Sequence, residues 1–354
     1  MQDGETINSA LSDQALARAH PLTMFGLDAL VAGSARLRPE NLAICSHGER
    51  DGDSVKYAEL DLAIGAFVAR LRAFDLTPGA RILLCCPARA EAIIAITAII
   101  ASGFEAVLAP LRLSHQALVA AAHATGADAL IAPARFERLD FEETLLAVAA
   151  QTASIRLLGA LSPEPVDGAV DFSLSALRAT PVTPAPISAG WTPGERSMIG
   201  AVGASGAPSF LTQGALLGHG LDLVRKTRRA GAAPIISLVS PGSFGGLIAG
   251  PLAALLSGAE LHFLAPFKAD VFLRLLDGIG PARLVAPMAI LPDLARSGLL
   301  TNGSLLSCAL LSSPCEAALA ALPSDACPII EITSDGAKLD IAMQSESFDT
   351  ARVA

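Results

Sequence analysis

Short apolar runs alternate with helically spaced apolar positions along most of this chain, and that alternation predicts its fold class. Leu60, Ile64, Phe67, Val68, Leu71 and Phe74 recur at the spacing that gathers them on one side of a helix, which opens at Lys56 and stops at Thr77-Pro78-Gly79. Met24 to Arg36 has helical spacing too, and Leu42 to Ser46 is a short apolar run that ends in a His47-Gly48-Glu49 turn. Arg81 to Cys86 then reads as a strand, Glu91 to Ala101 as an apolar helix, and Glu105 to Ala109 as a strand. Ser114 caps a helix to Ala124, and Ala127 to Ala132 is a further strand. Phe136 to Ala150 reads as helix and Ser154 to Leu158 as strand. Strands joined through helices return to the same sheet edge, so the pattern predicts a parallel sheet with helices on its faces.

Between Ser162 and Arg196 the pattern stops, because Pro181, Pro184, Pro186 and Pro193 oppose regular structure; Trp191 is expected to pin this stretch by packing. Beyond it the alternation resumes. Strands are predicted over Met198–Val202, Ile235–Val239, Glu260–Leu264, Arg283–Ala286, Ser307–Leu311 and Pro328–Ile332. Helices are predicted over Gly214–Arg229, Phe244–Leu256, Ala269–Leu276, Met288–Arg296 and Pro314–Leu322. The chain is therefore expected to be α/β, with two doubly wound, mostly parallel sheet subdomains. An arm (1–24) would precede the first (25–160), a Pro-rich connection (161–196) would lie on the surface, and the second (197–336) would be followed by a tail (337–354). Asp340, Glu346 and Asp349 interrupt that tail, which makes it a poor cover for an apolar face.

Composition narrows the function classes. With 354 residues, 52% of them hydrophobic and 17% charged, the chain has ample material for a large core. Its longest apolar runs, such as Ala92 to Ala101 and Leu247 to Leu256, are too short to span a bilayer. The acidic start, Met1 to Glu5, lacks a basic region followed by an apolar one, so a cytoplasmic location is expected. A net charge of −9 without a basic block argues against a nucleic-acid partner. The Arg225-Lys226-Thr227-Arg228-Arg229 cluster fits a helix C-terminus, where cations favour the dipole. The six cysteines form no C-x-x-C pair and read as small buried apolar residues. No two of the six histidines stand four apart beside a carboxylate, so no metal site is expected.

Candidate chemistry gathers in Ile199 to Thr212, where small residues separate an apolar run from a helix. Gly203 and Gly206 lack a Cβ, so the backbone there can turn its N–H groups into one concave space, the geometry that cradles phosphate. No Lys or Arg lies between Arg196 and Arg225, and Ser209 stands where a cation would be wanted. If the strands are parallel, loops 203–211, 240–246 and 332–336 converge on one ligand site at their C-terminal ends.

Several blocks resemble the opening of the adenylate-forming enzymes, the acyl-CoA synthetase and ligase superfamily. They are Lys56-Tyr57-Ala58-Glu59-Leu60, Leu76 to Ile82, Glu91 to Gly103 and Gly126 to Ile131. Gly203-Ala204-Ser205-Gly206-Ala207-Pro208-Ser209 is similar in place and outline to that family's phosphate loop, which ends in Gly-x-Pro-Lys-Gly. Gly258 to Leu261, Ala286-Pro287 and Ile330 to Asp335 continue the likeness, which covers about residues 25–336. The resemblance implies the family's large N-terminal domain. It implies a nucleotide site at Gly203, Ser205, Gly206, Ser209, Thr333 and Asp335, and a substrate pocket at Gly242, Phe244 and Gly245.

The departures shape what is expected of function. Ser209 replaces the loop lysine, Asp335 stands roughly where a metal-coordinating Glu belongs, and Gly242 stands in place of a substrate-side histidine. The segments that the family places beyond this block, the ribose-binding Asp, the small barrel and the C-terminal lid with its lysine, have no counterpart before Ala354. One lost electrostatic contact costs about 3 kcal/mol of transition-state stabilisation, and several are absent together. The expectation is a degenerate, non-catalytic relative with no catalytic residues of its own. It would have no obligatory cofactor, ATP and magnesium binding only residually, and would retain at most a pocket for an acyl or carboxylate ligand. A partner protein or a second copy would cover the face near Pro287, Pro314 and Ile332. The alternative is a ligase or acyltransfer enzyme completed by a separate chain.

Overall fold

A computed structural model of the chain describes residues 25–48, 53–136, 139–164, 166–181, 198–203, 206–312, 325–335 and 338–343. The arm 1–24, residues 182–197 with Trp191, Ser205, and the helix expected over Pro314 to Leu322 lie outside them.

The first half of the chain forms α1 (Leu27–Leu37), β1 (Leu42–His47), β2 (Asp53–Lys56), α2 (Tyr57–Arg72), β3 (Arg81–Cys85), α3 (Ala90–Ala101), β4 (Glu105–Ala109), α4 (His115–Thr125) and β5 (Ala129–Ala132). A small hairpin, β6 (Arg135–Phe136) and β7 (Leu139–Asp140), then precedes α5 (Glu142–Gln151), β8 (Leu157–Ala160), β9 (Val170–Asp171) and α6 (Leu174–Arg178). The second half forms β10 (Met198–Val202), β11 (Pro208–Thr212), α7 (Gln213–Lys226), β12 (Ile235–Ser237), α8 (Phe244–Leu247), α9 (Ala253–Ser257) and β13 (Leu261–Leu264). After these come α10 (Ala269–Ile279), β14 (Ala282–Pro287), α11 (Leu291–Arg296), β15 (Leu305–Ser312), β16 (Ile329–Asp335) and β17 (Lys338–Met343).

Local chemistry accounts for many of these boundaries. The Ser114 hydroxyl accepts the Ala117 N–H at 3.2 Å and opens α4, which closes on Gly126 at a φ of 61°. One widened turn, Ile248–Leu252, joins α8 to α9 around Pro251, whose missing N–H cannot serve a regular helix. Arg225 and Lys226 do occupy the last turn of α7; Lys226 pairs with Asp222 at 2.8 Å and donates to the Ile341 carbonyl.

Two large sheets result, one of order β17-β16-β15-β14-β12-β13-β1-β2 and one of order β11-β10-β4-β3-β5-β8-β9. Their interior pairs are parallel, while β2, β11 and β17 run antiparallel on three of the edges. Five layers follow from the packing. Helices α4 and α5 cover the outer face of the seven-stranded sheet, α1, α2, α3, α7 and α8–α9 fill the space between the sheets, and α10 and α11 cover the outer face of the eight-stranded sheet.

Sheet membership does not follow the two halves of the chain. β1 and β2 join the eight-stranded sheet through β13, and β10 and β11 join the seven-stranded sheet through β4. The two halves thus exchange strands, which alternation alone does not reveal because it fixes which face a residue takes and not which neighbour it pairs with. Four further differences are local. Part of the stretch expected to be an irregular surface connection is ordered and buried: Val170–Asp171 extends the sheet beside β8, the Ser173 hydroxyl caps α6, and Phe172 is fully buried, all before Pro181. Residues 135–136 and 139–140 pair as two short strands before α5 instead of forming its first turns, β11 begins at Pro208 inside the expected loop, and residues 338–343 of the tail form a strand. That strand pairs with Ile330–Asp335 of β16 and buries Ile341, so part of the tail covers the edge at Ile332 for which a partner is expected from the sequence.

Candidate functional site

The phosphate-loop candidate is the tip of the β10–β11 hairpin. Gly203 N–H donates to the Ala207 carbonyl at 3.0 Å, and Gly206 N–H donates to the Gly203 carbonyl at 3.0 Å. Both glycine donors are therefore spent inside the turn instead of converging on an external anion. Gly206 has a φ of 79°, which a side chain would resist, and its α-carbon faces the Ala117 carbonyl and Ala120 of α4. Ser209 lies past the turn, half-buried on β11 and in register with Ala201. Ser205 lies outside the described residues.

The loop before α8 bridges the two sheets at the C-terminal ends of their strands. A Cβ on Gly242 would stand 2.9 Å from the Ala109 carbonyl oxygen and 3.2 Å from the Pro110 α-carbon, so backbone at the end of β4 occupies the space a side chain needs. A Cβ on Gly245 would meet Leu311 at 3.3 Å and Ile332 at 3.4 Å. Phe244 is buried in the central core. The expected substrate-pocket residues thus share one place, and their close packing holds the two sheets together there. An apolar cavity of about 40 Å³ lies elsewhere, in the middle helical layer, with Val31, Tyr57, Ile96 and Leu252 among its walls.

Thr333 and Asp335 stand on β16, and Thr333 belongs to a polar row that the sequence did not disclose. The Ser312 hydroxyl donates to Glu331 Oε1 at 2.7 Å and so accepts from the Thr333 hydroxyl, 3.0 Å away. Thr333 and Glu331 share the sheet face of Ile329, opposite the face on which Ile332 meets Gly245. The row could orient a polar ligand by hydrogen bonds. Ser312 and Glu331 escaped detection because strand pairing alone brings β15 beside β16.

Comparison with known proteins gives part of the chain a family likeness. Residues 31–190 match the family model of the AMP-binding enzymes. That match takes in just under half of the chain and is a likeness to the family. A stretch of 102 residues is 33% identical to the salicyl-AMP ligase / salicyl-S-ArCP synthetase of Mycobacterium tuberculosis, covering 27% of this chain and 18% of that protein. The likeness in fold extends further. The apo structure of Mycobacterium smegmatis MbtA superposes with a TM-score of 0.70 at 18% identity, over 91% of this chain and 59% of that one. Apo MatB from Rhodopseudomonas palustris gives 0.67 at 19% identity, over 90% and 62%. Acetoacetyl-CoA synthetase from Streptomyces lividans gives 0.66 at 17% identity, over 88% and 51%. At such identities the structures speak for the fold alone, and this chain spans little more than half to three-fifths of their length. Among the described residues no helix is long and apolar enough to cross a membrane.

Proposed function

We propose that this chain does not adenylate carboxylates by itself and acts as a binding or regulatory domain whose nucleotide site has degenerated. The observation that carries this reading is the hairpin tip, where the Gly203 and Gly206 N–H groups are bonded within the turn and Ser209 brings no charge. Phosphate binding needs donors that are free and aimed outward, together with a cation, and the described part of this loop offers neither. The packing at Gly242 supports the same reading, since it excludes a substrate-side side chain. The functional ligand would be an acyl or carboxylate compound, or a partner protein.

Calorimetric titration of the purified chain with ATP and magnesium tests this directly, alongside carboxylate-dependent ATP–pyrophosphate exchange. Weak or no ATP binding and no exchange are expected. A micromolar dissociation constant that Gly206→Val abolishes would overturn the proposal. The second reading is a ligase completed by a separate chain, favoured by the ligase and synthetase names of its relatives. It requires exchange to appear when a partner isolated with the chain is added back.

A further inference from the structure

Parallel pairing of β1 with β13 puts Cys45 in register with His262, and residues two apart on a strand share a face, so His47 joins them. The three side chains stand on the outer face of the eight-stranded sheet, the face of Ile236 and Leu264. One ligand atom from each, the Cys45 sulfur and a nitrogen of each imidazole, can be chosen so that all lie within 4.8 Å of one another. The sequence pattern predicts no metal site, because Cys45-x-His47 and His262 are far apart along the chain and meet only through strand pairing.

We propose that Cys45, His47 and His262 form a binding site for a divalent transition metal of the zinc type, with Glu260 orienting His262. His47 Nε2 stands 3.0 Å from His262 Nδ1. Two nitrogens at a Zn–N distance of about 2.05 Å in a tetrahedron are about 3.3 Å apart, so a small opening of this pair admits the ion. His262 is 3% exposed, and its Nε2 has no hydrogen-bond partner. The group nearest to that nitrogen in charge terms is the Glu260 carboxylate, at 3.5 Å. With Nδ1 on the metal, Nε2 carries the proton, and a small adjustment toward Glu260 would complete the carboxylate–histidine–metal arrangement that fixes a ligand's tautomer. Thiolate and imidazole ligands together suit zinc or cobalt better than magnesium or calcium.

A free cysteine thiol is mostly protonated at neutral pH, so Cys45 holds its proton until an ion arrives. Binding then forms the metal–sulfur bond, releases the Cys45 proton to solvent, and leaves one proton on each imidazole, on the nitrogen facing away from the ion. Cys45 and His47 are only half-buried, which gives an ion a path in and leaves the fourth position to water. Four strand spacings, about 19 Å, separate β13 from β16, so this site is independent of the nucleotide reading.

The full chain, stripped with chelator and titrated with Co²⁺ and then Zn²⁺, provides the test. One equivalent of Co²⁺ should give a thiolate-to-metal charge-transfer band with tetrahedral d–d absorption, which Zn²⁺ displaces. Calorimetry in buffers of different ionisation enthalpy should read about one proton released per ion at neutral pH. Cys45→Ser should remove the charge-transfer band, His47→Asn should weaken binding at least tenfold, and Glu260→Gln should weaken it about 10- to 100-fold. The double variant Cys308→Ser/Cys327→Ser, which alters another close thiol pair, should keep the band. A wild-type chain without a thiolate band, or a band that follows Cys308 and Cys327 instead, overturns the proposal whether or not the site variants fold.

Discussion

Gly242→Ala isolates the contact that joins the loop before α8 to the seven-stranded sheet. The added methyl would sit 2.9 Å from the Ala109 carbonyl oxygen and 3.3 Å from its carbon, and must move about half an ångström to reach ordinary contact. Neither atom is on a flexible side chain. The same carbonyl accepts the Cys86 N–H at 3.2 Å, so its retreat strains a hydrogen bond between loop and strand ends. Overpacking of this kind costs about 1–3 kcal/mol. Gly242 does not have a left-handed φ, so alanine suits the backbone and recovers about 0.4–1 kcal/mol by restricting the unfolded chain. The net expectation is a loss of about 1–2 kcal/mol. With a urea m-value near 3 kcal/mol/M, the midpoint falls by roughly 0.3–0.7 M. Gly33→Ala is the control, because Gly33 lies within α1 and a methyl there would meet nothing within 4 Å, and the same exchange should stabilise by about 0.5–1 kcal/mol. Far-ultraviolet circular dichroism across a urea series reads both. A Gly242→Ala midpoint at or above wild type, with Gly33→Ala shifted upward, refutes the packing argument.

Two further outcomes can be measured in the same way. Gly258 ends α9 at a φ of 75° with the Arg38 guanidinium packed against its α-carbon, so Gly258→Ala should cost about 1–2 kcal/mol from backbone strain alone, and an unchanged midpoint would remove that account. Glu91 is buried at the start of α3, and burial raises its carboxyl pKa above the ordinary value. The folded state then holds a proton that the unfolded state has released, so stability falls as pH rises through the interval between the two pKa values. Glu91→Gln should be more stable than wild type at pH 7, with the difference vanishing once acidification protonates both states; a less stable variant at pH 7 contradicts this.

What could be read from the sequence divides along a physical line. Ser114 and its helix, the amphipathic α2 and the interior strands were legible because capping and periodicity are local. β2, β9 and the β6–β7 hairpin are too short to carry a period, and β11 was hidden in a run of small residues that also suits a loop. The exchange of β1 and β10 between sheets is set by which strand each one pairs with, and no local pattern records that. The meeting of Cys45, His47 and His262, and that of Ser312, Glu331 and Thr333, depends on the same pairing. Gly203 and Gly206 are recognisable as a turn, but whether their N–H groups face outward or into the turn is a matter of backbone geometry.

That geometry also bears on how the missing lysine should be weighed. A cation and a set of free backbone donors act together on a phosphate, since the charge draws the anion in and the donors fix its oxygens. In this hairpin Ser209 is already on β11, paired opposite Ala201, while the described glycine donors are held by carbonyls of their own turn. A lysine at Ser209 would therefore add attraction without supplying those donors, and the anion would remain largely hydrated beside an exposed charge. Opening the turn to free the donors would sacrifice two backbone hydrogen bonds, each worth about 1 kcal/mol, and would press Gly206 against α4 or away from it. On the proposed reading, loss of nucleotide binding would thus lie in the backbone as much as in the absent side chain.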